Sequence, residues 1–288
     1  MLVNGCDCSI VIKTSRCEID IPYSEETIRE AVSVLQEEAA IEGGGECKGI
    51  RKVIGVTGCV VTPLTMETAP LLLYLAMGAV GKSVFVSGTR DLYKCDLSLL
   101  PLEDTERFDL IQDRGGECKL YEVCAVSGFE LRILRGEAVK LKLDICGEWP
   151  PRAYPYTDSV KKVSGTERFN SDFVTCNING KEYGNIYGLT ILCKKEGGTR
   201  TEIWIKRVLE NDNDLSYNIE ELTITAKLLR DKYENRHYGI FRITLNKLVM
   251  VSDETNVNST DAVVGPLRFY VSGTVTTEVF TSSEEIIA

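Results

Sequence analysis

The sequence predicts a mainly β protein, an antiparallel β-sandwich or barrel with one or two short helices. Two consecutive segments, 129–133 and 139–145, alternate apolar and mostly charged residues with a period of two, as in strands that have one buried and one solvated face. Gly136 lies between them, where a tight turn needs a positive φ. The preceding segment 121–128 reads as a third strand, so the three form a meander. Short β-rich segments at regular spacing along the rest of the chain favour the same architecture throughout.

Composition narrows the possible functions. The chain has 288 residues, and 33 Lys and Arg stand against 43 Asp and Glu, for a net charge of -10. A broad surface that binds phosphates is therefore not expected.

The eleven cysteines are scattered without a Cys-x-x-Cys pair, and His237 is the sole histidine, so we predict reduced thiols and no zinc site. No window approaches the ~20 apolar residues of a membrane helix, and a signal peptide is not apparent, so we expect a soluble chain without membrane contact.

The chain is predicted to divide at residue 45. Residues 1–45 are interpreted as an extended arm followed by a helix, and residues 46–288 as the β domain. Ser24 is a suitable cap for that helix, and Ile28, Val32, Leu35 and Ala39 recur along one face. Three consecutive glycines, 43–45, would end it.

Within the β domain, segment 52–61 is rich in β-branched residues, and segment 65–78 predicts a buried apolar helix with Pro70 near its start and Gly78 just past its end. Further strands are expected at 83–87, 93–97, 108–112, 173–178, 183–194, 201–208, 222–228, 239–251 and 267–280. The proline-rich loop 147–166 is interpreted as the junction between two strand-rich halves, because its prolines cannot lie inside a central strand.

Three motifs suggest chemistry, and each departs from its pattern. Residues 78–83 contain Gly-Lys-Ser, but Ala76 replaces the first glycine of a phosphate loop, and a helix precedes where a strand is needed. Residues 212–216 resemble the start of a calcium loop, but Tyr217 and Thr223 replace the required glycine and glutamate. His237 has no accompanying nucleophile motif. We therefore assign no catalytic, cofactor-binding or metal-ligating residue and do not expect an enzyme.

Two segments are candidate interfaces. Trp149, Tyr154 and Tyr156 are interleaved with prolines, which suits a stiff contact surface, although a loop that covers the core is an equal alternative. The long β-rich segment 267–280 lies near the chain end and could pair with a neighbouring subunit as readily as with its own sheet. Its candidate interface residues are Phe269, Val271, Val275 and Val279.

Two stretches resemble the tail tube proteins of long-tailed bacteriophages and prophages. The first is the central meander, whose matching residues are Tyr121, Cys124, Val126, Phe129, Leu131, Gly136, Val139 and Leu141. The second is the strand-to-helix unit from Gly58 to Gly78, which precedes the meander as it does in that family. The resemblance covers roughly residues 48 to 281 and leaves the N-terminal segment unmatched.

The resemblance implies a structural virion protein whose subunits form hexameric rings that stack into a tube for DNA delivery. The implied partners are further copies of the chain, the tape measure, the tail terminator and baseplate proteins, and a sheath in a contractile tail, with DNA as transient cargo. The implied location is the virion tail, assembled in the bacterial cytoplasm. Two alternatives stay open: another ring-forming tail or type VI-like secretion tube component, and a β-fold binding protein or enzyme with an unrecognised site.

Overall fold

A computed structural model describes most of the chain. The described ranges are 8–15, 17–36, 49–80, 84–86, 93–115, 117–155, 161–162, 167–183, 186–208, 218–228, 239–253 and 264–281. The described residues of the first half form eleven strands and one helix: β1 Cys8–Lys13, β2 Glu18–Asp20, β3 Glu25–Glu26, β4 Arg29–Gln36, β5 Gly49–Pro63, α1 Ala69–Met77, β6 Gly78–Val80, β7 Val84–Phe85, β8 Tyr93–Leu99, β9 Phe108–Arg114, β10 Cys118–Leu134 and β11 Lys140–Gly147.

Ten strands follow in the part of the second half that the structure describes: β12 Arg152–Ala153, β13 Lys161–Lys162, β14 Val174–Ile178, β15 Lys181–Glu182, β16 Ile186–Lys194, β17 Arg200–Val208, β18 Asn218–Leu228, β19 Gly239–Asp253, β20 Val264–Val271 and β21 Val275–Thr281. Single 3-10 turns occupy Leu102–Asp104 and Ser171–Phe173. The predicted mainly β, antiparallel fold is confirmed, because every strand pair recorded is antiparallel except the short parallel pair of β2 and β13.

The hairpin of β10 and β11 is the centre of the fold, as the alternation predicted. Gly136 turns the chain with φ 79°. Leu131 pairs with Leu141, and both side chains are fully buried, while the neighbouring Arg132 and Lys140 face outward. The N-terminal part of β10, from Cys118 to Cys124, pairs instead with β9 and β12, and a bulge between Val126 and Gly128 follows it. One long strand therefore belongs to two sheets.

The large sheet extends from this hairpin in both directions. On one side β11 pairs with β5, which pairs with β3 and β4. On the other side β10 pairs with β16, followed by β17, β20 and β19. Strand β19 is a branch point, since it pairs along one edge with β18 and along the other with both β20 and β21. Strand β21 then pairs with β8, and β18 with β14.

Helix α1 lies inside the core and is close to the sequence prediction. It runs from Ala69 to Met77 with Pro70 in its first turn, and Gly78 ends it in a left-handed conformation with φ 103°. Every residue of the helix except Tyr74 is buried, and it contacts β8, β10 and β21. Within the described residues, no helix has the length and apolarity needed to cross a bilayer.

The helix predicted from Ser24 to Ala39 is wrong. The described part of this segment forms β3 and β4, and β4 pairs with β5 from Arg29 opposite Thr57 to Gln36 opposite Gly49. Pairing with a long neighbouring strand overrides a modest helix propensity. Strand β1 pairs with β2 and β9, so residues 8–36 belong to the same β architecture as the rest of the chain.

Candidate assembly surfaces

The C-terminal segment is not the unpaired edge that the sequence suggested. It forms two strands, and each is paired along both edges: β20 with β17 and β19, and β21 with β19 and β8. Phe269, Val275 and Val279 are 0%, 6% and 1% exposed, and Val271 packs partly buried against the same core. These four residues therefore hold the subunit together, and the expectation that they form an exposed interface is wrong.

The aromatic loop is only partly an exposed surface. Trp149 is 59% exposed just after β11. Tyr154 instead packs against a small apolar cluster of Val11, Ile111 and Leu120, and its backbone N–H donates to the Cys118 carbonyl at 3.0 Å. Tyr156 lies outside the described residues. Trp149 therefore stays a candidate contact residue, while Tyr154 anchors the loop to the body of the subunit.

A two-stranded ribbon extends from the large sheet at its β5 side. Strand β11 pairs with β5 only from Pro63 to Val56, where its partner is Gly147. Beyond Val56, residues 49–55 of β5 pair with β4 and with no other described strand. At about 3.3 Å per residue, this ribbon continues for roughly 23 Å past the end of β11.

The ribbon carries apolar side chains on its surface. Val32 is 36% exposed and Ile54 is 50% exposed, while Val53, which pairs with Val32, is half-buried. A two-stranded ribbon is marginally stable alone in water, and apolar side chains on it gain free energy by contact with a further surface. The ribbon is thus suited to contact another molecule.

A second surface is polar and lies across five strands, β8, β21, β19, β18 and β14. The register aligns one row of neutral polar residues across them: Ser98, Thr276, Thr244, Thr223 and Asn177. The next row includes Glu278 and Arg242, joined by a 2.7 Å hydrogen bond from Arg242 Nη1. Together they line an open groove of about 780 Å³ whose charges are largely paired. Such a surface can stay hydrated without attracting polyanions strongly.

Chemically reactive groups do not converge in the described structure. Residues 81–83 of the phosphate-loop motif, residues 212–216 of the calcium-loop motif and His237 lie outside the described ranges. Among the described residues, no group of three His, Cys, Asp or Glu side chains could hold a metal ion. Burial raises the pKa of the Cys95 thiol to about 11 and of Cys124 and Cys176 to about 12, which keeps them protonated and unreactive at neutral pH.

Lys195 is an unusual buried cation. Its side chain follows β16 and is 1% exposed, and its Nζ has no hydrogen-bond partner among the described residues. Burial lowers the pKa of Lys195 to about 8, because the charged form is poorly solvated inside the protein. The neighbouring Cys193 side chain opposes this lowering of the pKa in part, since a thiolate there would favour the charged lysine.

Comparison with known proteins gives no family assignment. No protein-family model matches the chain, and no curated protein matches it significantly.

Sequence reasoning missed the ribbon because it interpreted β4 as helix. A signal was present, since Val32 and Val34 alternate with Ser33 in the period of a strand. It also missed the grouping of Arg200, Glu202 and Arg268, because these residues are brought together by pairing between β17 and β20 across more than sixty positions.

Proposed function

We propose that the chain is the subunit of a phage-type tail tube, a structural protein that forms closed, hexameric rings stacked into a hollow tube for DNA delivery. The observation that carries the proposal is the two-stranded β4–β5 ribbon, which extends beyond the sheet with Val32 and Ile54 exposed. A surface patch that contacts a different region of the next copy makes a heterologous contact, and such contacts close into rings or propagate along an axis.

The order of the fold elements supports the proposal. The tail tube resemblance rested on a β strand leading into a buried apolar helix, followed by the central meander. In the structure β5 leads into α1, and α1 packs against β8, β21 and β10, the long strand of the central hairpin. The arrangement supplies a rigid body from which a ribbon can reach a neighbour.

Charge supports a role in DNA passage. The chain carries a net charge of -10, and a tube wall of this sign repels phosphates and keeps DNA from adhering. The proposed partners are further copies of the chain, the tape measure and the proteins that end the tube, with DNA as transient cargo. The proposed location is the virion tail.

The ribbon provides the test. Replacing both exposed apolar residues, Val32→Glu with Ile54→Glu, should prevent assembly of the purified full chain while leaving its thermal unfolding nearly unchanged. The matched control is Phe173→Glu, which alters a side chain that is 46% exposed on the 3-10 turn before β14. Sedimentation velocity and negative-stain microscopy report assembly. If the ribbon variant assembles like the wild type, the ribbon does not hold copies together, and the support for this function is lost.

A further inference from the structure

One face of the large sheet is strongly cationic. The register places the outward side chains of β10, β16, β17 and β20 in rows, with Arg132, Thr190, Trp204 and Arg268 in one row and Glu130, Leu192, Glu202 and Tyr270 in the next. With β11 included, the outward positions of these five strands carry seven basic residues and three acidic ones, and Glu137 in the turn before β11 also pairs with Lys140. The basic residues are Arg132, Lys140, Lys142, Lys194, Arg200, Lys206 and Arg268, and the acidic ones are Glu130, Asp144 and Glu202. This excess of positive charge stands out in an acidic chain.

The centre of this face is a fixed cluster of two arginines, two aromatic rings and one carboxylate. The Glu202 side chain is 9% exposed and accepts from Arg268 Nε at 2.9 Å and Nη2 at 2.6 Å, and it lies 3.1 Å from Arg200 Nη2. The Arg200 guanidinium lies 4.3 Å from the centroid of the Tyr270 ring, and Arg268 lies 5.2 Å from that of Trp204. Arginine held on aromatic rings is typical of the strongest contact points in protein interfaces.

The cluster retains capacity for a further anion. Two guanidinium groups share one carboxylate, so one positive charge is left over. Each guanidinium has five N–H donors, and the bonds to Glu202 use few of them. Because Arg200 is 58% exposed, an incoming carboxylate could reach it with a charge-assisted hydrogen bond.

The same chain contains an acidic segment of matching charge. Residues 37–48 join the ends of β4 and β5, where Gln36 pairs with Gly49. These twelve residues contain four glutamates and a single basic residue: Glu37, Glu38, Glu42, Glu46 and Lys48. The ribbon of β4 and β5 therefore ends in a segment of opposite charge to the face centred on Arg200 and Arg268.

The segment and the face of one chain are too far apart to meet. Through four successive strand pairs, Arg200 lies level with Cys59, ten residues along β5 from Gly49. That separation is roughly 33 Å along the strands and roughly 19 Å across them. A twelve-residue connection that must return to its start reaches only about 20 Å. The contact would therefore form between copies.

We infer that the face centred on Arg200, Trp204, Arg268 and Tyr270 docks the acidic segment 37–48 of a second copy of this chain. The inference rests on the proposed self-assembly and names the two surfaces that meet. Carboxylates of the neighbour bind the exposed arginine donors, while Val32 and Ile54 of its ribbon lie next to the aromatic rings. Charge complementarity fixes the orientation of the neighbour, and aromatic contact adds to the affinity.

A charge exchange tests the inference. Reversing the face with Lys194→Glu and Arg200→Glu, or the segment with Glu37→Lys and Glu38→Lys, should raise the protein concentration for half-maximal assembly roughly tenfold or more. Mixing the two variants should restore assembly, because each supplies the charge that the other lacks. The control is Lys227→Glu, an exposed lysine on β18 outside this face. Melting temperatures verify that every variant is folded.

The outcomes separate the inference from the proposed function. If the wild type assembles and the charge reversals have no effect, or if the mixture does not recover, the docking inference is overturned while self-assembly stands. If the wild type does not assemble, both are overturned. If Lys194→Glu with Arg200→Glu leaves assembly unchanged but abolishes binding of a single-stranded oligonucleotide at physiological salt, the face binds nucleic acid, and docking of the acidic segment is excluded.

Discussion

Arg268 on β20 donates two hydrogen bonds to a single carboxylate oxygen of Glu202 on β17, one from Nε at 2.9 Å and one from Nη2 at 2.6 Å. The pair links the two strands on the outer face of the sheet. Removing Arg268 would leave a nearly buried carboxylate with only the more exposed Arg200 as its ionic partner. A desolvated group that loses its partner is costly because water cannot replace the lost contact.

We therefore predict that Arg268→Ala destabilises the protein by roughly 1.5–3 kcal/mol. The matched comparison is Arg242→Ala, which removes a 2.7 Å ion pair with Glu278. The Arg242 side chain is 44% exposed and the Glu278 side chain is 26% exposed. That variant should cost less than about 1 kcal/mol, since solvent screens an exposed ion pair. Urea unfolding of both variants measures the difference. Equal losses of unfolding free energy in the two variants would show that burial of Glu202 does not strengthen its ion pair with Arg268.

The central hairpin gives a second prediction. Leu141 is fully buried opposite Leu131, so Leu141→Asp places an unpaired carboxylate in the core at a cost of several kcal/mol, comparable with the whole stability of a typical domain. We expect no soluble folded protein. Lys140→Ala, one residue away on the other face, removes only an exposed contact with Glu137 and should be mild. Comparable loss of soluble protein in both variants would reverse the assignment of faces.

Gly58 provides a third prediction, from a close crossing of chain segments. Its φ is +150°, and a Cβ there would lie 2.4 Å from the Thr27 carbonyl oxygen and 2.7 Å from the Ile28 Cα. Gly180, with φ +80° and nothing within 4 Å of a Cβ, is the control for a positive φ at a site with open space around it. Gly180→Ala should cost about 1–2 kcal/mol. Gly58→Ala should exceed that by roughly 1–3 kcal/mol, because backbone must move aside. Chemical denaturation compares the two.

A fourth prediction concerns pH and Lys195. Burial lowers the pKa of this lysine to about 8 in the folded state, below its ordinary value of 10.5. Between these values the unfolded chain binds more protons than the folded one, so the contribution of Lys195 to stability rises with pH from about 8 to about 10.5. Below pH 8 both states are protonated, and the cost of the buried charge is fully present.

Lys195→Met removes this titration and keeps a long apolar side chain. The variant should be more stable than the wild type at pH 7 by about 3 kcal/mol, and the advantage should shrink toward pH 10. Comparing the two proteins cancels the separate loss of stability at high pH that buried thiols such as Cys124 cause, since their raised pKa acts in the opposite sense. Denaturation at several pH values gives the difference. If the stability difference between Lys195→Met and the wild type does not change with pH, the lowered pKa of Lys195 is contradicted.

The sequence predicted features that depend on neighbouring residues. The alternation around Leu131 and Leu141 identified the central hairpin and its buried face, because a period of two is legible over a few residues. Pro70 and Gly78 marked the ends of the helix for a similar reason, since both act through local backbone geometry. These features require no knowledge of distant strands.

Features set by distant pairing were not predictable in this way. Val32 forms part of a strand because Val53 pairs with it across the twelve-residue connection 37–48, and the spacing of Ile28, Val32 and Leu35 also suits a helix. Phe269 and Val279 resembled an exposed edge because nothing local shows that β19 pairs with both strands that contain them. The cationic face combines residues from five strands, so its charge is visible only after the register is known.

Self-assembly into hollow rings is the central claim, and microscopy of the purified wild-type chain tests it most directly. Sedimentation velocity across a wide range of protein concentration identifies the assembled fraction, and negative-stain images of that fraction show its shape. The proposed function predicts closed rings with a central channel that stack into tubes as concentration rises. A chain that stays monomeric at every concentration, with neither rings nor tubes in the images, would contradict it.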